Sequence, residues 1–150
     1  SAVITSSDIE NVIKNKQGRF QHTTTHQAHS LSISAALAVQ KIVHNDDFLN
    51  HVSFLGEYMR NTLVGELSEH PFYYDVRGRG LRFSFEYQSK ENNEFGKRLQ
   101  LEMEEKHNIL INAKWHRVCF TPSLTLDKRN ADMILDKFIS TYKKISIEFN

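Results

Sequence analysis

The stretch that decides the fold is Phe72–Tyr87, which reads FYYDVRGRGLRFSFEY. Its second half, Leu81–Tyr87, alternates apolar and polar side chains with a period of two, the pattern of a half-buried β-strand. Gly78 and Gly80 separate this run from the aromatic run before it. Glycine permits the backbone angles and close approaches that a bend requires. The stretch therefore predicts two strands around a glycine-rich bend, Gly78-Arg79-Gly80.

Helical patterns lie on both sides of this stretch, because apolar side chains recur there at helical spacing. The predicted helices are 7–13, 29–43, 47–67, 94–106 and a last helix that begins after its cap, Asp127. The predicted strands are 2–5, 72–77, 81–87, 108–112 and 117–121, with a turn at 14–18. The predicted core-facing stripes are Phe48, Val52, Leu55, Met59 and Leu63; Phe95, Leu99 and Met103; and Ile134, Phe138, Tyr142 and Ile145. The sequence thus predicts an α/β fold, with a helix-rich first half followed by a small antiparallel sheet packed under helices.

The bulk composition is that of an ordinary globular protein. The chain has 150 residues, of which 39% are hydrophobic and 25% charged, and its formal net charge is +1. Because Lys and Arg form no block, general binding to nucleic acid or to an anionic membrane is disfavoured. No apolar run reaches the roughly 20 residues of a membrane helix. The single cysteine, Cys119, excludes an internal disulfide and favours a reducing, cytoplasmic location.

A segment rich in Thr and His precedes the second predicted helix. It reads Gly18-x-Phe20-x-His22-x-x-Thr25-x-x-x-His29, and the small-residue run 34–39 follows it. Hydroxyls and free backbone N–H groups at the positive end of a helix dipole are suited to holding a phosphate group. The small residues let the helix lie close to a neighbour. The segment is therefore a candidate phosphate site.

Two other interpretations of this segment stay open. Thr and Ser are common helix caps, so the segment also fits a plain surface turn that leads into a helix. His22, His26 and His29 are four and three residues apart and could converge on a metal ion. Against a metal, the loop has no Cys, Asp or Glu to complete the coordination or to orient the imidazoles. We therefore predict no metal site.

The segment resembles the Gly-x-Phe-x-His-Gly-x-Thr-x-x-x-His-Pro segment of class III aminotransferases, which are pyridoxal-phosphate enzymes of fold type I. Three later segments are similar to segments of the same family, in the same order. They are Val76-Arg77-Gly78-Arg79-Gly80-Leu81, similar to Val-Arg-Gly-x-Gly-Leu; Asn108–Ile111, similar to the strand after Gly-Val-Leu; and Cys119–Asp127, similar to Arg-Phe-Ala-Pro-Pro-Leu-x-Ile-Thr. The chain therefore resembles the C-terminal part of such an enzyme.

This resemblance implies a homodimeric enzyme that uses pyridoxal phosphate to move an amino group from an amine or ω-amino acid to a keto acid. It implies that residues 1–45 form the end of the cofactor-binding large domain, with the Thr/His loop and a connecting helix, and that 46–150 form the C-terminal small domain. In the family, the loop threonine reaches across the dimer interface to the cofactor phosphate of the other subunit. Thr25 is the matching residue.

The resemblance also implies that the lysine that forms the Schiff base with the cofactor lies shortly before residue 1. Lys14, Lys16 and Lys41 do not stand in a matching context. Transamination needs such a lysine for the covalent bond and for the proton shuttle. We therefore expect no catalytic residue in this chain and no activity of the chain alone. A different class stays open, a truncated or split-gene domain that only folds and associates.

The chain departs from the family pattern at two places that bear on function. Thr23 stands where the family loop has a glycine, and Cys119 stands where many members have a carboxylate-binding Arg. Arg117 lies two residues earlier, on the same strand face, and its guanidinium suits bidentate binding of a substrate carboxylate. The alternative is an arginine that merely faces solvent. Arg77 and Arg79 are expected to form salt bridges between domains rather than to bind substrate.

Overall fold

A computed structural model of the chain describes residues 3–18 and 22–149. The chain divides into two compact units, residues 1–42 and 43–150. Two predicted features lie partly outside the described residues: Ala2, in the first predicted strand, and Phe20, in the Thr/His segment. The assignment of 1–45 to a large domain and of 46–150 to a small domain stays a prediction.

In its described residues, 3–18 and 22–42, the first unit contains two helices, α1 (Ser7–Gln17) and α2 (Ser30–Val43), the second of which ends at the first residue of the next unit. The sequence predicted α2 to within one residue. It ended α1 too early, because residues 14–17 are helical rather than a turn. The helix ends where Gly18 takes a left-handed conformation, with φ of 72°, and donates its N–H to the Lys14 carbonyl at 2.7 Å.

The predicted first strand is wrong where the structure describes it. Residues 3–5 form no strand, and the side chains of Val3 and Ile4 are 97% and 93% exposed. A strand needs a hydrogen-bonded neighbour to satisfy its backbone. The four-stranded sheet of the described residues pairs only strands of the second unit, so β-branched residues at 3–5 have no partner strand in it.

Residues 43–149 of the second unit, which the structure describes, contain three long helices and four strands. They are α3 (Asp46–Leu67), β1 (Tyr73–Arg79), β2 (Arg82–Tyr87), α4 (Asn92–His107), β3 (Asn112–Lys114), β4 (Arg117–Phe120) and α5 (Lys128–Glu148). Two helix starts are fixed by side-chain caps. The Asn45 side chain accepts the Asp47 N–H at 2.9 Å, and the predicted cap Asp127 accepts the Asn130 N–H at 2.7 Å. The cap at Asp127 is thereby confirmed.

The four strands form one antiparallel sheet in the order β1-β2-β4-β3. The predicted hairpin is confirmed, but its bend is shorter than predicted. Gly78 and Arg79 belong to β1, and the turn is made by Gly80, with φ of 52°, and Leu81. In register, Phe85 lies opposite Val76 on one side and Val118 on the other. This alternation gives the sheet one apolar face and one polar face.

The apolar face of the sheet packs against α3, α4 and α5. Of the predicted core stripes, Phe48, Val52 and Ile134 are half-buried and the rest are buried. The Phe85 ring meets the Phe138 and Tyr142 rings of α5 edge to face, at centroid distances of 5.5 and 5.0 Å. The α/β fold, with a small antiparallel sheet packed by helices, is confirmed.

The strand predicted at 108–112 is wrong in position, because β3 begins only at Asn112. Asn108 instead ends α4 in a left-handed conformation, with φ of 55°, and donates its N–H to the Glu104 carbonyl at 3.1 Å. Ile109 and Ile111 are half-buried while Leu110 is 78% exposed. Half-buried and exposed side chains therefore alternate along residues 109–111 as in a strand, but the backbone there is not paired with another strand.

We find no membrane-crossing candidate among the helices built from residues 3–18 and 22–149, since none is both long enough and apolar enough.

Candidate functional site

The described end of the Thr/His segment, residues 22–29, contains a short turn that leads into α2. Residues 25–28 make the turn, which the Gln27 N–H closes by donating to the Thr24 carbonyl at 3.1 Å. Ala28 leaves the turn with φ of 57°. Thr25 therefore lies in the turn itself, five residues before the first residue of α2, and its side chain is exposed.

His29 caps the N-terminus of α2. Its Nδ1 accepts the Ser32 N–H at 3.3 Å and lies 2.9 Å from the Ser32 hydroxyl, and its carbonyl accepts the Ile33 N–H at 3.0 Å. Because Nδ1 accepts a backbone N–H, the neutral ring carries its proton on Nε2. Two backbone donors of the first turn, the N–H groups of Ser32 and Ile33, are thus already used.

The three histidines of the segment do not assemble as metal ligands. The rings of His26 and His29 lie edge to face with centroids 6.5 Å apart, and Nδ1 of His29 is used in capping α2. Among residues 3–18 and 22–149, no group of three or more His, Cys, Asp or Glu side chains is arranged to hold a metal ion.

Arg117 and Cys119 lie on the polar face of the sheet, as their spacing predicted. Val118 and Phe120, which alternate with them on β4, are buried in the core. Arg117 is half-buried, and its guanidinium lies 5.7 Å from the centroid of the Trp115 ring. Its Nε is fully buried and has no hydrogen-bond partner among the described residues. The Cys119 sulfur lies 3.7 Å from the Ser84 hydroxyl of β2.

The expectation that Arg77 and Arg79 form salt bridges between domains stays a prediction. Arg77 pairs inside its own sheet, with Glu86 at 2.5 Å and with Asp75 at 3.3 Å. The hydrogen bond and charge of Glu86 raise the pKa of the Arg77 guanidinium. Arg79 is exposed and, within the part of the chain that the structure describes, pairs with no carboxylate.

Sequence reasoning missed Trp115, which forms the β3–β4 turn with His116. Its φ is 56°, a left-handed value that is unusual for a bulky residue, and its side chain is 62% exposed. Its carbonyl accepts the Tyr87 hydroxyl at 3.1 Å, which ties the turn to β2. Asn, Asp or Gly would have signalled such a turn, so the sequence held no usual signal for it.

The fold matches those of solved transaminases. A structure from a study of transaminase evolution by ancestral reconstruction superposes with a TM-score of 0.79 over 95% of this chain and 33% of its own, at 20% identity. The omega transaminase of Pseudomonas jessenii, in complex with PMP, gives 0.78 over 93% and 32%, also at 20% identity. At that identity the likeness defines a fold. This chain has the fold of about a third of a fold type I transaminase.

The sequence identifies the family. The class III aminotransferase profile matches residues 1–141, and the chain therefore belongs to the class III aminotransferases, a pyridoxal-phosphate-dependent family. An aminotransferase of Gibberella zeae is 33% identical over 87 residues, which is 58% of this chain and 17% of that protein. The chloroplastic gamma aminobutyrate transaminase 3 of Solanum lycopersicum is 26% identical over 152 residues, covering 91% and 28%. The chain thus spans less than a third of the length of these relatives.

Proposed function

We propose that this chain is the C-terminal part of a homodimeric, cytoplasmic transaminase that transfers an amino group from an amine or ω-amino acid to a keto acid. The observation that carries the proposal is the class III family match over residues 1–141. When bound, pyridoxal phosphate supplies the electron sink for the chemistry at the substrate α-carbon. Residues of this chain assist that chemistry by binding the cofactor phosphate and the substrate carboxylate.

Thr25 is the residue that we assign to the cofactor phosphate. Its exposed side chain lies in the turn before α2, where the positive end of the helix dipole favours an anion. The turn fits a phosphate, because the hydroxyl can donate a hydrogen bond to one of its charged oxygens. In the proposed dimer, Thr25 holds the cofactor of the partner subunit.

Arg117 is the residue that we assign to the substrate carboxylate. The structure gives two reasons for considering it. Its Nε is buried and unpartnered among the described residues, and the Trp115 ring lies beside its guanidinium. A guanidinium held beside a ring loses less conformational entropy when it binds a carboxylate. Cys119, two residues along the strand, is too weak a hydrogen-bond donor for that role.

The cofactor assignment is tested with Thr25→Ala in the full-length enzyme. The change removes a hydrogen bond to a charged phosphate, worth roughly 1.5–3 kcal/mol, so the dissociation constant of the cofactor should rise about 10- to 150-fold. Thr24→Ala is the matched control, since it removes a hydroxyl from the adjacent residue. Equal retention of cofactor by both variants after dialysis would refute the assignment of Thr25.

The substrate assignment is tested with Arg117→Gln in the same enzyme. Removing the guanidinium should raise KM for the keto acid and leave the dissociation constant of the cofactor unchanged, whereas Arg117→Lys should recover part of the loss. Arg129→Gln, which removes an exposed arginine of α5, is the control. An unchanged KM in Arg117→Gln would remove Arg117 from the substrate site.

The second candidate function is a non-catalytic domain that folds and associates. One observation favours it: the buried hydrophobic side chains of the described residues all lie within 55–145, in the second unit. The two functions are separated by assaying the 150-residue chain with pyridoxal phosphate, an amine and a keto acid. We expect no turnover and no borohydride-stable pyridoxyl adduct at a single lysine. Turnover accompanied by one such adduct would show that the chain is an enzyme by itself.

A further inference from the structure

The turn between β3 and β4 carries a side chain that its backbone does not favour. Two residues, Trp115 and His116, connect the strands, and Trp115 has a φ of 56°. At a positive φ in such a turn the usual residues are Gly, Asn and Asp, because a bulky side chain is strained there. Strained backbone persists where the surrounding structure holds it, and it is found most often at functional sites. The Trp115 side chain therefore calls for a reason other than the turn itself.

The contacts of the Trp115 side chain indicate what that reason is. The residue is 62% exposed, so its ring adds little to the hydrophobic core. The guanidinium carbon of Arg117 lies 5.7 Å from the centroid of the ring. A guanidinium within about 6 Å of an aromatic ring is attracted by the electrons of its face. The exposed ring thus serves Arg117 rather than the core.

Tyr87 holds this turn in its strained conformation at two points. Its backbone N–H donates to the His116 carbonyl at 2.8 Å, and its hydroxyl donates to the Trp115 carbonyl at 3.1 Å. Burial raises the pKa of Tyr87 to about 12, so the hydroxyl keeps the proton that it donates. Gly96 of α4 makes room for this hydroxyl, since a Cβ added there would lie 2.5 Å from the Tyr87 oxygen. Both carbonyls of the turn are therefore fixed from the buried side of the sheet.

Arg117 depends on the Trp115 ring because its other neighbours do not hold it. Glu86 lies opposite Arg117 in register, but its carboxylate is bound by Arg77 at 2.5 Å. Arg117 makes no salt bridge among the described residues, and its buried Nε has no hydrogen-bond partner among them. An arginine side chain without a fixed partner samples many rotamers, and ordering it costs binding free energy. A ring held in place beside the guanidinium reduces that cost.

We propose that Trp115 is a positioning residue, whose ring orients the Arg117 guanidinium towards the carboxylate of the keto acid. Tyr87 and Gly96 in turn hold Trp115 in place. The inference rests on the proposed function, in which Arg117 binds that carboxylate. It adds that recognition of a carboxylate depends on a residue that does not itself touch the carboxylate.

The test uses Trp115→Asn in the full-length enzyme, because Asn accepts a positive φ and has no ring. KM for the keto acid should rise about tenfold, as expected for loss of the ring beside the guanidinium. KM for an amine donor that has no carboxylate should stay unchanged, and so should kcat. Trp115→Phe keeps an aromatic face and should recover most of the loss. His116→Asn, which changes the other exposed side chain of the turn, is the control and should leave both KM values unchanged.

Arg117→Gln separates this inference from the proposed function. The double variant Trp115→Asn with Arg117→Gln should have the same KM for the keto acid as Arg117→Gln alone, since Trp115 acts through Arg117. Effects that multiply would overturn the positioning role, because Trp115 would then touch the substrate itself. A normal KM in Trp115→Asn, beside a raised one in Arg117→Gln, would overturn the inference and leave the proposed function standing. An unchanged KM in Arg117→Gln would overturn both.

Thermal unfolding of the same variants tests for a merely structural role. Trp115→Asn should not lower the unfolding midpoint, because it relieves the strained backbone of the turn. A lowered midpoint, or a KM that rises equally for the keto acid and for the amine, would show that Trp115 only maintains the fold and would overturn the inference.

Discussion

The buried carboxylate of Glu102 joins α4 to α5. Its side chain is buried, with the residue 3% exposed. The carboxylate accepts a hydrogen bond from Lys106 and a second one, at 2.6 Å, from Lys144. The guanidinium of Arg98 lies 3.3 Å from the same carboxylate. The bonds from Lys106 and Lys144 lower the pKa of Glu102 from 4.5 to about 2. Because the folded pKa is the lower one, this stabilisation is complete above about pH 5 and is lost as the pH falls towards 2.

Glu102→Gln should therefore destabilise the fold at pH 7, since it leaves three cations facing one another without their carboxylate. The difference in the free energy of unfolding between wild type and variant should shrink as the pH falls from 5 to about 2. Urea denaturation across that range measures it. Glu105→Gln, an exposed neighbour on the same helix, is the control. A difference that does not change with pH would show that Glu102 acts through packing rather than charge.

A second residue-scale prediction concerns His70, whose two ring nitrogens are both engaged. The Phe72 N–H donates to Nδ1 at 3.2 Å, so Nε2 carries the proton and donates to the Ser146 hydroxyl at 2.9 Å. Burial and the nearby Lys143 charge lower the pKa of His70 below 6.5. The unfolded chain therefore binds the proton more readily, and stability should fall as the pH drops below about 6.5.

The free energies of unfolding at pH 7.5 and 5.5 measure this loss of stability. His70→Gln should abolish the loss. The control His44→Gln, at an exposed position, should preserve it. Direct titration of the His70 ring by NMR gives the sign independently. A folded-state pKa above 6.5 would contradict the prediction.

Individual residues could be predicted from sequence where the signal is local. Asp127 was found as a cap because capping involves only the next three residues. The ion pair of Glu102 with Lys144 could not be found, because it joins residues 42 positions apart on two helices. At the candidate site, the resemblance selected Thr25 and Arg117, but the capping role of His29 and the left-handed Trp115 had no sequence signal.

At the scale of elements, α3 is held against the β1–β2 turn through a glycine. A Cβ added at Gly56 would lie 2.0 Å from the Gly80 carbonyl oxygen, far inside contact distance. Gly56→Ala should therefore destabilise the fold by roughly 1–3 kcal/mol, although alanine favours the helix. Gly65→Ala, on the same helix with open space around it, should stabilise by up to about 1 kcal/mol. Thermal unfolding of both variants measures the contrast, and equal shifts would mean that α3 does not pack closely on the turn.

Elements with a repeating apolar stripe were predictable, and elements that depend on a distant partner were not. The stripe through Leu55 located α3 to within one residue, and the stripe through Phe138 identified α5, whose start was predicted from the cap Asp127. Segments 2–5 and 108–112 had apolar, β-branched residues, but a strand also needs a neighbour in register. In the described residues 3–5 that neighbour is missing, and at 108–111 the left-handed Asn108 ends the preceding helix first.

At the scale of the whole molecule, the two units differ in what they bury. Every buried hydrophobic side chain of the described residues lies within 55–145, in the second unit. In the first unit α1 and α2 bury no residue, and Leu31, Leu37 and Ile42 on α2 are all more than half exposed. Apolar surface on this scale favours association, since burial stabilises by about 25 cal/mol per Å².

We therefore expect the isolated chain to self-associate through its first unit or to rearrange that unit, while residues 47–145 keep their fold. Light scattering should give a mass above that of a monomer, and Leu37→Glu should lower it, because a charge on the apolar side of α2 opposes its burial. Asn61→Glu, at an exposed position of α3, adds the same single negative charge and is the control. Hydrogen exchange should be slow in α3, α4 and α5 and fast in α1, where no side chain is buried. A strictly monomeric chain with strong protection from Val3 through Val39 would contradict this, because the first unit would then be stable without a partner, as an autonomous domain requires.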